Sequence, residues 1–324
     1  MCTAATYQTK HFYFGRNLDY EQSFGESVVI TPRNWPLALR HGAAMETHYA
    51  MIGMAHMQDG FPLYYDAVNE KGLCIAGLNF VGNAVYGRPE GGRENVAQFE
   101  LIPWLLGRCA TLAEARTLLA QANITDTPYS AGLPTAQLHW MVADRTGCIV
   151  VESVADGLHI YDDPAGVLTN NPPFPTQLFA LNNYAQLSPE PPVNHFAPTL
   201  PLTTYSRGMG AMGLPGDLSS QSRFVRTAFT RLNSASGTGV AEGASQLFHI
   251  LGAAAQQRGC CVLEDGSCEL TLYTSCCNAD TGVYYYTTYD SGHVSAVDMH
   301  REELDGAALI SYPLDDVWQV RLQN

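Results

Sequence analysis

The sequence predicts an α+β protein built on antiparallel sheets. Three observations carry this. Strand-like runs come in groups, helical stretches cluster between those groups instead of alternating with single strands, and the composition suits a large interior crossed by many turns. Of the 324 residues, 46% are hydrophobic and only 15% are charged, against a typical ~25% charged. There are also 29 Gly and 18 Pro. At roughly 150 residues per domain the length admits two domains, but α+β enzymes run this long as one unit. No composition shift divides the chain, so one domain is expected over residues 1–324.

The elements follow in order. Two short strands, 2–8 and 11–16, flank a turn near Thr9-Lys10. Strand-like runs continue at 27–31, 49–54, 73–80, 137–143 and 148–154. The last third adds 270–275, 283–289 and 293–299, with an aromatic and β-branched run from Tyr284 to Tyr289 that suits a pleated surface. Thr111 and Glu114 form a capping box opening a helix with Leu112, Ala115, Leu118, Leu119 and Ala122 on one face. Ser219 or Ser220 caps a second helix running to about Asn233, with Phe224, Ala228 and Leu232 along one side; 242–254 is a third. Residues 187–217 hold six prolines together with Gly208, Gly210, Gly213 and Gly216. So long an irregular stretch reads as a functional loop, a lid or a subunit clamp, with a linker as the plainer alternative.

Charge removes several functions. Lys and Arg total 17 against 31 Asp and Glu, a net charge of −14. Such a chain is a poor match for nucleic acid or anionic lipid. No apolar run reaches roughly 18 residues, so no membrane insertion is expected. Polar residues throughout the first twenty argue against a signal peptide. Nine cysteines, an odd count, then read as reduced thiols in a cytoplasm.

Most motifs dissolve on inspection. Gly208 to Gly213 matches G-x-G-x-x-G, but Pro215 and Gly216 break the helix that a dinucleotide site requires. The vicinal pairs Cys260-Cys261 and Cys276-Cys277 lack spaced partners and read as small core residues, so no metal is expected. Cys2 is different. Loss of Met1 would leave a thiol and a free α-amine on one residue, and the amine's ordinary pKa is about 7.7–8.0. A base poised near neutrality beside a nucleophile is the N-terminal-nucleophile arrangement. With Met1 attached that amine is an amide and cannot serve as a base. If the first two strands form a hairpin, Arg16 and Asp19 return beside Cys2, the arginine favouring an anionic sulfur and the aspartate orienting the ammonium. A local surface ion pair is the bland alternative for those two.

At these residues the chain resembles the choloylglycine hydrolases, the family of bile salt hydrolases and penicillin V acylases. The likeness rests on Met1-Cys2-Thr3, Gly15 to Asp19, Asn69 to Leu73, Ala76 to Phe80, Leu168-Thr169-Asn170 and the run from Leu214 to Phe224, in order along nearly the whole chain. The resemblance implies a four-layer αββα N-terminal-nucleophile hydrolase, with two antiparallel sheets packed between helix layers. It implies Cys2 as nucleophile with its own amine as base, flanked by Arg16 and Asp19. It implies Asn170 as a side-chain donor and Asn79 as a further donor to the oxyanion. It also turns Arg226, one helical turn after Arg223, back toward Cys2. No cofactor is called for.

Asn79 favours bile salts, since the penicillin V acylases of this family more often carry Tyr there. The resemblance assigns Leu18, Tyr129 and Leu133 to the pocket for the steroid, although all three types are equally at home in a core. Because the net charge opposes an anionic substrate, local cations must recognise it. Ser206-Arg207-Gly208 resembles a loop that accompanies preference for glycine over taurine conjugates, with Met209 standing where the family has Thr. The Pro/Gly-rich loop resembles the segment that ties such subunits into a homotetramer. Penicillin V or N-acyl homoserine lactone acylase activity is the alternative within the mechanism. A catalytically inactive ligand-binding homologue is the alternative outside it.

Overall fold

A computed structural model describes residues 1–324. The N-terminal strand β1 (Cys2–Gln8) turns tightly into β2 (Phe12–Tyr20), which runs four residues beyond the expected end. Next come β3 (Glu26–Thr31), β4 (Met51–Gln58), β5 (Phe61–Asn69) and β6 (Cys74–Asn79). The short β7 (Glu94–Ala97) leads to helices α1 (Leu101–Arg108) and α2 (Leu112–Leu119), and then to β8 (Ala122–Thr125). A three-stranded meander follows: β9 (Leu138–Asp144), β10 (Gly147–Val154) and β11 (Gly157–Asp162). Then come β12 (Val167–Leu168) and α3 (Phe174–Ala180), and after a long irregular stretch α4 (Ser220–Asn233) and α5 (Val240–Gly252). The chain closes with β13 (Leu270–Asn278), β14 (Val283–Thr288), β15 (Ser295–Asp298) and β16 (Ile310–Pro313).

Two antiparallel sheets dominate. One has six strands in the order β12-β1-β2-β13-β14-β15, the other eight in the order β11-β10-β9-β6-β5-β4-β3-β16. Helices α4 and α5 cover the first sheet over β1, β2 and β13; α1 covers the second over β5 and β6. The order of layers is therefore helix, sheet, sheet, helix, as the resemblance implied. Apolar side chains of both sheets, including Tyr13, Ile52, Met54, Leu78 and Tyr273, share one buried core with Phe224, Leu247 and Ile250 of the helices. A second core around Trp104, Leu105 and Trp140 joins α1 and α2 to the outer face of the larger sheet.

The anticipated α2 cap is present, with Thr111 Oγ1 accepting from the Glu114 N–H at 3.2 Å. Strand β5 and helices α1 and α3 carried no expectation. Each contains a proline (Pro62, Pro103, Pro175) that blurs the local pattern while tertiary packing sustains the element. Residues 187–217 are irregular and largely exposed apart from one 3-10 turn, and Gly208–Gly213 opens no helix. No helix is long and apolar enough to cross a membrane.

Candidate active site

Strand alternation divides the site into two faces. In the β1–β2 ladder Cys2 stands opposite Leu18 and Ala4 opposite Arg16. Successive side chains point to opposite sides of a sheet. Cys2, Arg16 and Leu18 therefore face the second sheet, while Thr3, Asn17 and Asp19 face α4 and α5. On the first face Arg16 Nη2 donates to Cys2 Sγ at 2.6 Å, and Nη1 donates to the carbonyls of Tyr65 and Gly77 at 2.9 and 2.7 Å. Those carbonyls belong to β5 and β6, so the guanidinium bridges the two sheets.

Arg16 is buried, and its charge is balanced from behind. Asp66 on β5 accepts from the hydroxyls of Tyr273 and Tyr284, each at 2.7 Å, and from Ser275 at 3.3 Å. Burial alone would lower the Arg16 pKa; the Cys2 thiol, helped by Tyr273, Asp66 and Tyr284, outweighs it and holds the group above its ordinary value. Burial raises the Asp66 carboxyl, and Arg16 with the three hydroxyls restrains that rise.

On the helix face the approaching cation is Arg223. Its Nη1 donates to the Cys2 carbonyl at 2.5 Å and to Thr3 Oγ1 at 2.6 Å; its Nη2 donates to Asn170 Oδ1 at 2.8 Å. Asn170 Oδ1 also accepts from the Cys2 backbone N–H at 2.8 Å. The Asn170 N–H donates to Ser220 Oγ at the start of α4, which ties the two segments together. One Asn170 Nδ2 hydrogen is donated to the Asn79 carbonyl at 2.8 Å.

One expectation needs correction. Arg226 does not turn back toward Cys2; its guanidinium donates to the carbonyls of Pro215 and Asp217, each at 3.2 Å. At about 100° per residue, position 226 lies roughly 200° around the helix from the buried Phe224, while position 223 lies only about 100° away. That phase was legible in the Phe224/Ala228 stripe. Asp19 lies on the helix face, opposite to the thiol. Its Oδ1 accepts from Thr271 Oγ1 at 2.6 Å, Arg223 Nη1 is 3.8 Å from Oδ2, and that Oδ2 is buried without a hydrogen bond.

Met1 is held in line with the sheet. Its amine donates to the Asp19 carbonyl at 2.7 Å, its carbonyl accepts from the Asp19 N–H at 3.0 Å, and its ammonium lies against the buried Glu269 carboxylate. Burial pulls the terminal amine below its ordinary pKa, outweighing the opposite pull of Cys2 and Asp19.

Cys2 and Arg16 line a cavity of about 250 Å³ with mostly apolar walls, among them Leu18, Phe99, Tyr129 and Leu133. The Asn79 side chain faces the same cavity and makes no hydrogen bond within the chain. Four larger clefts, of 460 to 650 Å³, carry charged residues such as Glu21, Arg93, Arg108 and Asp298 and contain none of these groups. Arg207 lies on the exposed 187–217 loop and does not line the cavity. Arg223, Asp66 and Glu269 escaped the sequence reading. Arg223 sits inside a motif already singled out, whereas the other two carried no local signal.

The model of the family "linear amide C-N hydrolases, choloylglycine hydrolase family" matches residues 2–312. The chain is 54% identical to a bile salt hydrolase/transferase of Lactiplantibacillus plantarum, over 97% of each chain. It is 37% identical to a bile salt hydrolase/transferase of Clostridium perfringens over the full length of both. Among solved structures, a mutant of the conjugated bile acid hydrolase from Clostridium perfringens superposes with a TM-score of 0.93 at 35% identity, covering 100% of each chain. Penicillin V acylase from Agrobacterium tumefaciens shares the fold, with a TM-score of 0.76 at 19% identity over 96% of this chain and 90% of its own.

Proposed function

The chain belongs to the choloylglycine hydrolase family of linear amide C-N hydrolases, and from that premise we propose that it hydrolyses the amide bond of glycine- or taurine-conjugated bile salts with Cys2 as nucleophile. The observation that carries the reading is the Arg16-bound Cys2 sulfur at the base of an apolar cavity. An apolar wall suits the steroid.

Maturation comes first. Hydrolysis of the Met1–Cys2 peptide bond frees the Cys2 amine, which stays beside Asn170 Oδ1. A free α-amine has an ordinary pKa of about 7.7–8.0, close to neutrality. It accepts the thiol proton as Sγ attacks the substrate carbonyl carbon, and a tetrahedral oxyanion forms. The Asn79 amide and the second Asn170 Nδ2 hydrogen, neither bonded within the chain, supply donors to that oxyanion, while Asn170 Oδ1 accepts from the amine. The ammonium then protonates the leaving nitrogen, the C–N bond breaks, and glycine or taurine departs. Water adds to the acyl thioester, the amine takes its proton, and the C–S bond breaks to give the free bile acid and the thiol. Arg223 positions this unit through the Cys2 carbonyl and Asn170.

We further propose a homotetramer assembled through residues 187–217, whose Val193, Phe196 and Tyr205 are strongly exposed, and a cytoplasmic setting, in keeping with nine unpaired cysteines. The test runs glycocholate, taurocholate and penicillin V in parallel on protein whose intact mass reports the loss of Met1. Release of glycine or taurine, lost in Cys2→Ala, is expected. Hydrolysis of penicillin V alone would overturn the substrate and keep the mechanism. Inert protein lacking Met1 would overturn both.

A further inference from the structure

One buried polar side chain in the cavity has no part in this mechanism. Gln98 opens the 3-10 turn Gln98–Glu100 between β7 and α1, and it lines the cavity although only 4% exposed. Its amide makes no hydrogen bond with the protein, and Oε1 is buried with no partner at all. Of the other polar groups on this wall, Tyr64 OH pairs with Thr31 Oγ1 at 2.8 Å and Arg16 spends donors on Cys2 and two carbonyls, while His56 pairs Nε2 with Gln58 at 3.3 Å and leaves Nδ1 buried without a partner.

An unpaired buried amide costs the protein about what a lost hydrogen bond costs. Nothing in the local fold asks for it. Neighbouring Phe99 packs on Tyr129 and Phe61 at centroid distances of 5.2 and 6.0 Å, and methionine at position 98 would fill the same volume with no polar atom to satisfy. The cavity therefore carries a polar group that nothing within the chain satisfies.

We propose that Gln98 is a specificity-determining residue that exchanges hydrogen bonds with a hydroxyl carried on the hydrocarbon skeleton of the substrate's acyl part. This rests on the cavity being the acyl site proposed above. A primary amide both donates and accepts, as does a hydroxyl, so one contact satisfies both partners. A site built this way rejects the analogue that lacks the hydroxyl, because the amide then stays unpaired in the complex. Gln98 thus sets a preference between steroid skeletons that differ in a hydroxyl at ring position 7 or 12.

The test compares Gln98→Met with the parent enzyme, both lacking Met1, on the glycine conjugates of cholic, deoxycholic, chenodeoxycholic and lithocholic acid, which differ only in ring hydroxyls. For at least one pair the parent's kcat/KM ratio should favour the hydroxylated member and fall about 5- to 20-fold in the variant. The unliganded variant should melt at or above the parent's Tm, since it sheds an unsatisfied group; a purely structural glutamine would give a lower Tm. Ratios unchanged in Gln98→Met overturn the proposal, as does a shift seen in His56→Phe and not in Gln98→Met. If the parent hydrolyses none of the four, the acyl-site reading fails and the proposal falls with it. If it hydrolyses all four and no ratio moves, the proposal alone fails.

Discussion

Arg16 and Arg223 reach the same cysteine from opposite faces of one strand pair, and their tasks differ accordingly. Arg16 touches the sulfur and holds two carbonyls of the facing sheet, a planar fork that an ammonium cannot reproduce. Arg16→Lys should lower kcat/KM by about 10²-fold, read in steady-state kinetics on protein whose mass confirms the loss of Met1. Arg223 grips the Cys2 carbonyl and Asn170, whereas Arg226 grips only Pro215 and Asp217. Arg223→Ala should therefore abolish turnover, while Arg226→Ala should leave kcat/KM within about 2-fold, the usual effect of a surface change away from the chemistry. Equal losses in the two variants would contradict the helix phase seen here. These roles were half legible beforehand: the motif pointed to this helix, but the choice between two arginines three positions apart depended on which side of α4 faces β1.

At the scale of elements, the turn joining β7 to α1 links pocket and stability. Glu100 is 1% exposed, accepts from the backbone N–H of Arg40 at 2.8 Å, and is raised by burial to about 7. Asp163, which ties the turn before β12 through Gly166 and Val167 N–H groups, is raised by burial to about 6. A carboxyl whose folded pKa lies above its unfolded value binds its proton more tightly when folded. Its stabilising effect is therefore present at low pH and is lost as pH rises from about 4 through 6 to 7. Glu100 alone accounts for at most about 3 kcal/mol of such a slope. Urea midpoints should fall between pH 5 and pH 8, and Glu100→Gln should flatten the decline; a midpoint that climbs over that interval would contradict the assignment. The start of α4 illustrates the reverse case. Asp217 accepts from Ser219 N–H and Ser222 Oγ at 3.0 and 2.6 Å and is held down to about 2 by them. Neither Ser219 nor Ser220 makes the side-chain cap expected of it, and Ser220 spends its hydroxyl on Asn170 and Thr169 instead.

Across the whole molecule, one core spans both sheets and the α4/α5 layer, so we expect a single cooperative unfolding transition, with far- and near-ultraviolet circular dichroism losing signal together. Two separated transitions would divide the chain into independent units. The proposed tetramer is checked by light scattering at micromolar protein, where a monomer mass would exclude it. Exposed Phe196 and Tyr205 are large apolar groups on an irregular loop, and single replacements by Ser should shift the assembly toward smaller species without touching the Cys2 cavity.

By itself the sequence determined the α+β class and most strands of the two sheets, though not β5, β11, β12 or β16, and it singled out Cys2 as the candidate nucleophile. Alternation, turn residues and a cysteine behind Met1 are local signals, and local physics decides them. It also placed Leu18, Tyr129 and Leu133 on the cavity wall. Tertiary structure alone decided which face of β2 each charged side chain occupies, which arginine of α4 reaches Cys2, and that one Asn170 amide hydrogen goes to the Asn79 carbonyl. It alone also brought Asp66, Tyr273 and Tyr284 behind Arg16, across more than two hundred residues of chain. Those outcomes depend on how layers dock and how a helix is rotated against a sheet, and such energies arise between segments that no sequence window contains together.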